Sequence, residues 1–261
     1  MLILSTVFLW FITYSFIGWA YESTLCSITQ RKPVNRGFLN GPICPVYGFG
    51  ALIIIFTLEN VKGNLLALFL ASAVLTCTLE YITSYLLEKL FKTQWWDYSK
   101  RRFNLNGRIC LEGAVVFGLL SVLLMEFIHP FISGNIGRFS PTTRYILAGG
   151  IFLILISDTF VTVRHILQLN GKLAEIQEAL SAHQMALRAK GEELKEAIVD
   201  RFENSEFYTE HIKGLLERRN FQDKRLLHAF PNMRSLRNEE ARKKLKETLF
   251  TIGRRYSRHL I

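Results

Sequence analysis

Carboxyl groups stand inside stretches of this chain that are otherwise apolar. Glu80 and Asp158 are the deepest of them, with runs of apolar residues on both sides. An ionisable side chain inside a membrane is costly, so it usually faces a partner or a polar cavity. We therefore expect Glu80 and Asp158 to line a substrate route. The alternative is a structural pair with Arg36, Arg108 or a neighbouring Tyr or Asn.

A stretch rich in glycine and proline, residues 35–50, separates two long apolar segments. Backbone that bends at membrane depth must be buried in protein or must line a polar space. The stretch contains the polar candidates Asn35, Arg36 and Asn40. Two arginines beside glycines, Arg36 and Arg108, could hold an anion or could pair with Glu22 and Glu88. We favour the pairing.

A short motif occurs twice, as Leu-Asn-Gly-Pro-Ile-Cys at 39–44 and Leu-Asn-Gly-Arg-Ile-Cys at 105–110. Glu22 and Glu88 are separated by the same offset, and each lies near the end of an apolar segment. The pattern predicts a duplicated helix–loop–helix unit, as in the parallel repeats of some transporters. It places Asn40 opposite Asn106 across a shared cytoplasmic cavity, with the two glutamates nearby.

An aromatic cluster, Trp95-Trp96-Asp97-Tyr98-Ser99, follows the third apolar segment. Paired indoles are typical of the headgroup region. Asp97 could cap a helix or bind a headgroup amine. With this cluster, the candidate polar cavity comprises Glu22, Asn35, Arg36, Asn40, Glu80, Glu88, Asp97, Asn106, Arg108 and Asp158.

Apolar runs long enough for a bilayer predict five spans, at roughly 2–24, 44–59, 65–90, 109–129 and 144–166. Excess Lys and Arg marks the cytoplasmic side. The loops at 25–43 and 91–108 are rich in these residues, whereas the loops at 60–64 and 130–143 hold only Lys62 and Arg138. We therefore expect a multi-pass protein of the cell membrane with the N-terminus outside and the C-terminus cytoplasmic.

The fold class is an all-α membrane helix bundle, residues 1–166, followed by a cytoplasmic helical region, 167–261. Apolar residues spaced three and four apart run from Ile166 through Leu169, Leu173, Ile176 and Leu180. They indicate a coiled-coil stalk, with a possible homodimer, or a helix that packs on its own neighbours. Further helices are expected near 205–228 and 236–257, separated at Pro231.

Residues 231–261 hold nine Lys and Arg against three Asp and Glu. A helix over 236–257 has Ala241, Leu245, Leu249 and Ile252 on one face, while the rest of its surface, including Arg242, is basic. A tethered basic helix favours anionic lipid as its partner, with a solvated face as the alternative. Nucleic acid is not expected, since no recognised nucleic-acid-binding fold accompanies the basic residues.

Several catalytic motifs are absent from the sequence. It has no Walker A loop, no Gly-x-Ser-x-Gly elbow and no His-Glu-x-x-His. We therefore expect no enzyme activity, no cofactor and no metal site, and any ATPase would be a separate subunit.

Three segments together resemble one family: 14–22, 35–50, and 95–99 with 104–110. The family is that of CmpB-type putative ABC-transporter permeases, and the resemblance covers roughly residues 8–130. It implies a polytopic membrane protein with no established substrate, and it assigns no functional residues.

The sequence thus favours a permease-like component of a transport system in the lipid bilayer. A second hypothesis is a membrane-anchored scaffold or sensor that acts through its cytoplasmic helices. A third is a lipid-headgroup enzyme with Asp97 at the interface. A continuous polar path touching Glu80, Asp158 and Asn40 would distinguish the first from the others.

Overall fold

The computed structural model describes residues 1–189 and 221–247 and is mostly helical. The first three helices are α1 (Leu2–Gln30), α2 (Pro45–Leu58, followed by a 3-10 turn at Glu59–Val61) and α3 (Leu65–Phe91). Helix α4 (Leu111–Leu123) continues through a π-helical turn (Leu124–Ile128) into α5 (His129–Gly137). Helix α6 spans Pro141–Ala189, α7 spans Phe221–Ala229, and residues 239–247 are helical.

Prolines and capping groups set the ends of the first helices. Helix α1 ends at Arg31, which adopts a left-handed conformation, and Pro33 cannot continue the helix. Helix α2 begins with Pro45 at a position where the missing N–H costs nothing. The side chain of Asn64 accepts the Ala67 N–H at 3.1 Å and so caps the start of α3. The breaks predicted for residues 35–50 therefore lie between α1 and α2.

Short strands depart from the all-α prediction. Strands β2 (Asn104–Leu105) and β3 (Ile109–Cys110) form an antiparallel hairpin, and β1 (Thr93–Gln94) pairs antiparallel with β4 (Arg234–Ser235). Asn106 and Gly107 turn the hairpin with φ of 53° and 66°, the left-handed region that Asn and Gly tolerate. Each strand has only two residues, which is why alternation of residue types gives no signal for them.

In the part of the chain that the structure describes, four helices are long and apolar enough to cross a membrane: Leu2–Gln30, Leu65–Phe91, Leu111–Gly137 and Pro141–Ser181. The apolar helix Pro45–Val61, the second span of the prediction, is shorter. Large apolar side chains such as Ile146, Leu153 and Phe160 are exposed on α6 at a spacing of seven residues. Such a surface is stable only against lipid or another protein.

The chain divides into two compact units. Unit 1 comprises Met1–Leu90 and Trp95–Val163, and unit 2 comprises Phe91–Gln94 with the chain from Arg164 onward. The core of unit 1 joins α1, α2, α3 and the π-helical turn through apolar side chains such as Leu9, Ile54, Leu68 and Met125. Helices α1 and α2 approach closely at Gly48, where an added methyl group would lie 2.6 Å from the carbonyl oxygen of Phe11.

Unit 2 buries the heptad positions within its own packing. Ile166, Leu169, Leu173, Ile176 and Leu180 are all buried. Buried partners on the later segments include Leu226, Leu227, Ala241 and Leu245. The arrangement matches the intramolecular alternative for these five positions. The predicted stalk beyond Leu180, most of the helix near 205–228, and positions 249 and 252 lie outside the residues whose side chains are described.

Charged residues join the elements of unit 2. Both His165 and Lys172 of α6 contact the buried carboxylate of Asp223 on α7, at 3.1 and 3.2 Å. Arg242, which the sequence placed on a basic surface, is instead buried, and its guanidinium pairs with Glu239 at 2.7 Å. That prediction was wrong because a guanidinium can enter a helix interface when a carboxylate satisfies it.

Candidate functional site

The loop between α1 and α2 is organised by the side chain of Asn35. Its Oδ1 accepts hydrogen bonds from Trp19 Nε1 at 2.7 Å and from the Gly37 N–H at 3.1 Å. Its Nδ2 donates to the carbonyl of Asn40 at 2.9 Å. A single amide that uses both ends to join α1 to the loop acts as a structural centre.

The Asp158 carboxylate of α6 holds the same loop. Its Oδ1 accepts the Asn40 N–H at 3.1 Å, and its Oδ2 accepts the Gly41 N–H at 2.8 Å. The Asn40 side chain donates to Thr162 Oγ1 at 3.0 Å, and Thr162 in turn donates to Asp158 at 3.2 Å. These contacts match the structural alternative for Asp158, a pair with a neighbouring Asn, with the backbone amides as further donors.

Glu22 is the centre of a second cluster, formed by α1, α2 and the loop. Tyr47 donates its hydroxyl proton to Glu22 Oε1 at 2.7 Å, and Arg36 Nε lies 3.6 Å from Glu22 Oε2. The backbone N–H of Arg36 donates to Ser23 Oγ at 3.1 Å. The favoured pairing of Arg36 with Glu22 is therefore observed, and the carboxylate has partners on both oxygens.

Glu88 and Arg108 form the corresponding pair on α3 and the hairpin. Arg108 contacts Glu88 Oε2 at 2.7 Å and also donates to Ser84 Oγ at 3.2 Å. Its guanidinium lies 5.6 Å from the ring centres of both Tyr81 and Tyr85. Carboxylate and ring faces together stabilise the partly buried cation.

The two Asn-Gly motifs have different surroundings. Asn106 donates its side-chain amide to Tyr81 OH at 2.9 Å and adopts a left-handed backbone, whereas Asn40 bonds to α6 as described above. Both motifs nevertheless lead to a cysteine directly before a helix, Cys44 before α2 and Cys110 before α4. The two copies of the motif thus both lead into a helix, but their local conformations differ.

The first tryptophan of the aromatic cluster is buried inside the protein, whereas the residues after it are partly or fully exposed. Trp95 is 3% exposed, and its ring meets Phe38 edge-on with centroids 5.1 Å apart. Trp96 donates Nε1 to the Arg108 carbonyl at 3.0 Å, and Asp97 accepts the Ser99 N–H at 2.9 Å. The prediction that Trp95 anchors the chain among headgroups is wrong, because the loop that contains Trp95 turns back onto the α1–α2 loop.

Glu80 is the remaining acidic candidate and the most deeply placed. It lies eleven residues before the end of α3, about 16 Å along the helix at 1.5 Å per residue. Its side chain is 9% exposed, and Tyr98 donates a hydrogen bond to the carboxyl group. The other oxygen, Oε2, is buried and has no hydrogen-bond partner among the described residues.

The charges of both Glu80 and Glu22 act on Tyr98. Burial, and then the negative charges of Glu80 and Glu22, raise the pKa of Tyr98 above its usual range. The hydroxyl therefore keeps its proton and serves as a donor. Sequence reasoning missed Tyr98 and Tyr47 as site residues, because both reach carboxylates of distant segments and no local pattern marks them.

The candidate residues thus fall into distinct groups. Glu22 contacts Arg36 and Tyr47, and its charge also acts on Glu80 and Tyr98. It assigns Asn35, Asn40 and Asp158 to holding the first loop, and Asp97, Asn106, Glu88 and Arg108 to the hairpin and its contacts with α3. Within the described part of the chain, no group of three or more His, Cys, Asp or Glu side chains is placed to hold a metal ion.

A separate polar contact lies in the other half of α1. Tyr14 OH and His129 Nδ1 are 2.7 Å apart, and the Trp10 ring meets His129 edge-on at 4.9 Å. His129 follows the π-helical turn, and such turns change the direction of the residues after them. The histidine therefore packs on α1 inside the protein rather than reaching for the interface.

Long apolar helices with exposed apolar sides indicate a multi-pass membrane protein. Residues 9–163 match the family described as putative ABC-transporter type IV, of the CmpB type. The match covers more than half of the chain, so the chain belongs to this family and is a membrane transport-related protein. No curated protein and no solved structure matches the chain.

Proposed function

We propose that this chain is the membrane-spanning, permease-like component of a transport system whose substrate passes the Glu22–Glu80–Tyr98 cluster. The observation that carries the proposal is Glu80, a buried carboxyl group within an apolar helix, with one oxygen that the described residues leave unsatisfied. Membrane proteins retain such groups mainly where ions, protons or substrates pass. Family membership supports the same reading.

The proposed topology has five spans, with Pro45–Val61 as the short second one. The N-terminus is outside, and the loops around 31–44 and 92–110 are cytoplasmic, because they carry most of the basic residues between spans. The contact between Phe38 and Trp95 supports placing both loops at one end of unit 1. The equivalent cysteines before α2 and α4 support an internal duplication of the two-span unit.

The energy source in this proposal is a separate ATPase subunit, since the sequence has no Walker A loop. The chain itself catalyses no reaction and needs no cofactor. The basic segment 231–261 contacts anionic lipid of the cytoplasmic leaflet in this scheme, through residues such as Lys243 and Lys244.

The scaffold hypothesis receives less support from the structure. A dimeric stalk needs an apolar seam that is free to meet a second chain. The seam positions from Ile166 to Leu180 are already buried by unit 2 itself. A coiled-coil homodimer would therefore have to use positions beyond Leu180.

Isolation of the full chain from its source membranes in mild detergent tests the proposal. We expect a second subunit with a Walker A loop to remain bound and the assembly to hydrolyse ATP. Glu80→Gln should leave the subunits associated, since Glu80 lies within α3 and its hydroxyl partner Tyr98 belongs to the same chain. A chain that is isolated alone, in detergents that preserve other membrane assemblies, would contradict the proposal.

A further inference from the structure

Oε2 of Glu80 is a buried hydrogen-bond acceptor for which the described residues provide no donor. Buried side-chain oxygens nearly always have a partner, and in a membrane a missing hydrogen bond costs more than in water. Tyr98 supplies one donor to this carboxyl group. For Oε2, no donor is found among residues 1–189 and 221–247. A ligand that brings a donor would complete the site.

The charges nearby favour a positive ligand. Arg36 pairs with Glu22, and Arg108 pairs with Glu88. The charged group that acts on Glu80 electrostatically is the carboxylate of Glu22. A carboxylate in apolar surroundings is stable in its charged form only when a cation accompanies it. Two negative carboxylates without a free cation beside them, in the described part of the chain, would favour a positively charged ligand over an anion.

The number of available oxygens argues against an inorganic cation. Calcium and magnesium take six or more oxygen ligands. The described part of the chain holds no group of three or more metal-ligating side chains, and the Glu22 oxygens already contact Tyr47 and Arg36. An ammonium group is suited to one free carboxylate oxygen, because a single N–H donor satisfies it. The neighbouring Tyr98 ring can face the apolar part of such a ligand.

We infer that Glu80 Oε2 accepts a hydrogen bond from the ammonium group of a small organic cation, and that amines of this class are what the chain binds. The transport of that ligand rests on the proposed function, whereas its binding rests on the geometry of Glu80 alone. Tyr98 positions the carboxyl group through its side-chain hydrogen bond to Glu80.

Thermal unfolding of the purified full chain in detergent tests the binding. The probes are methylammonium chloride, tetramethylammonium chloride and sodium chloride at equal concentration and ionic strength. A ligand that binds only the folded protein raises Tm as its concentration exceeds Kd. We expect methylammonium to raise Tm and the other two salts not to, because tetramethylammonium has no N–H donor and sodium needs more oxygens.

Three variants assign the effect to the carboxyl group. In Glu80→Gln, the methylammonium concentration for half of the Tm shift should rise at least tenfold, and in Glu80→Asp it should rise less. Glu112→Gln, which changes an exposed carboxylate of the same sequence region, should respond like the original chain. For each variant, the Tm in one salt is compared with the Tm of the same variant in the other two. A change in the basal stability of a variant therefore does not affect the Tm shift that methylammonium causes.

The inference is overturned if the three salts act alike, if methylammonium has no effect, or if its effect persists in Glu80→Gln. A bound ATPase subunit together with any of those results would reject amines as ligands and leave the transport proposal standing. A methylammonium response in a chain that binds no ATPase would support amine binding and reject the transport proposal.

Discussion

Replacement of Asp158 by Asn should loosen the loop between α1 and α2. The carboxylate accepts the N–H groups of Asn40 and Gly41 on separate oxygens, at 3.1 and 2.8 Å. Asparagine keeps one acceptor oxygen and turns an NH2 group towards the other N–H. A hydrogen bond to a charged group contributes about 1.5–3 kcal/mol, so the loss of one and the weakening of the other should cost about 2 kcal/mol or more.

The rate at which the thiol of Cys44 is labelled measures how often this loop opens, because Cys44 lies at the end of the loop. Its side chain is buried, and its N–H donates to the Ser15 carbonyl at 3.0 Å. A thiol-reactive maleimide can reach it when the loop detaches. Since 1.4 kcal/mol corresponds to a factor of ten, a loss of about 2 kcal/mol should raise the rate of labelling about 30-fold. The labelled peptide is quantified by mass spectrometry in the full chain.

Glu112→Gln is the matched control for this measurement. Glu112 pairs with Arg101 at 2.8 Å, but both side chains are more than half exposed. Exposed ion pairs contribute little, so labelling of Cys44 should change less than about twofold. Equal labelling rates in Asp158→Asn and the control would refute the structural role of Asp158. The alternative, that Asp158 lines a substrate route, would then be favoured.

Three further outcomes are expected. Gly48→Ala should lower the unfolding free energy by about 2 kcal/mol in thermal or denaturant unfolding, because the added methyl group overlaps α1, whereas Gly149→Ala, with open space around it, should be neutral or stabilising. Although burial opposes ionisation, bonds to a neighbouring arginine and a backbone amide lower the pKa of Glu239. Its stabilising effect should be complete above about pH 4.5, the ordinary value, and fade as the pH falls through the lowered pKa. The protection factors for hydrogen exchange over 230–247, which are corrected for the intrinsic exchange rate at each pH, should therefore fall below about pH 4.5 in the original chain and fall less in Glu239→Gln. Cysteines placed at Lys62 and Arg138 should react with a membrane-impermeant thiol reagent from outside; reaction from the cytoplasm would overturn the topology.

Some of the site follows from the sequence because charge and chain direction determine it. Segments that leave and re-enter a membrane at one side bring their ends together, so basic loop residues meet acidic helix ends there. Arg36 with Glu22 and Arg108 with Glu88 are contacts of this kind. The glycines and prolines of 35–50 likewise locate the break between α1 and α2, because few other residues can end and restart a helix so soon.

Other contacts depend on how loops fold back, and composition does not encode that. Asp158 accepts hydrogen bonds from backbone amides almost 120 residues earlier in the chain. Every residue except proline has a backbone N–H, so the sequence does not indicate which amides a given carboxylate will contact. Tyr98 reaches Glu80 only because the loop after α3 turns inward. The same turn buries Trp95, whose composition alone indicated a headgroup anchor. Arg242 is buried for a comparable reason, since Glu239, one turn earlier, accepts hydrogen bonds from two of its nitrogens.

ATP hydrolysis by the isolated assembly in liposomes tests the central proposal most directly. Glu80→Gln is compared with Glu112→Gln, with equal amounts of bound ATPase subunit confirmed for each. If substrate passes the Glu22–Glu80–Tyr98 cluster, Glu80→Gln should reduce the rate at least tenfold, and Glu112→Gln should leave it within about twofold, as expected for an exposed pair. Hydrolysis at the original rate in Glu80→Gln would contradict the account.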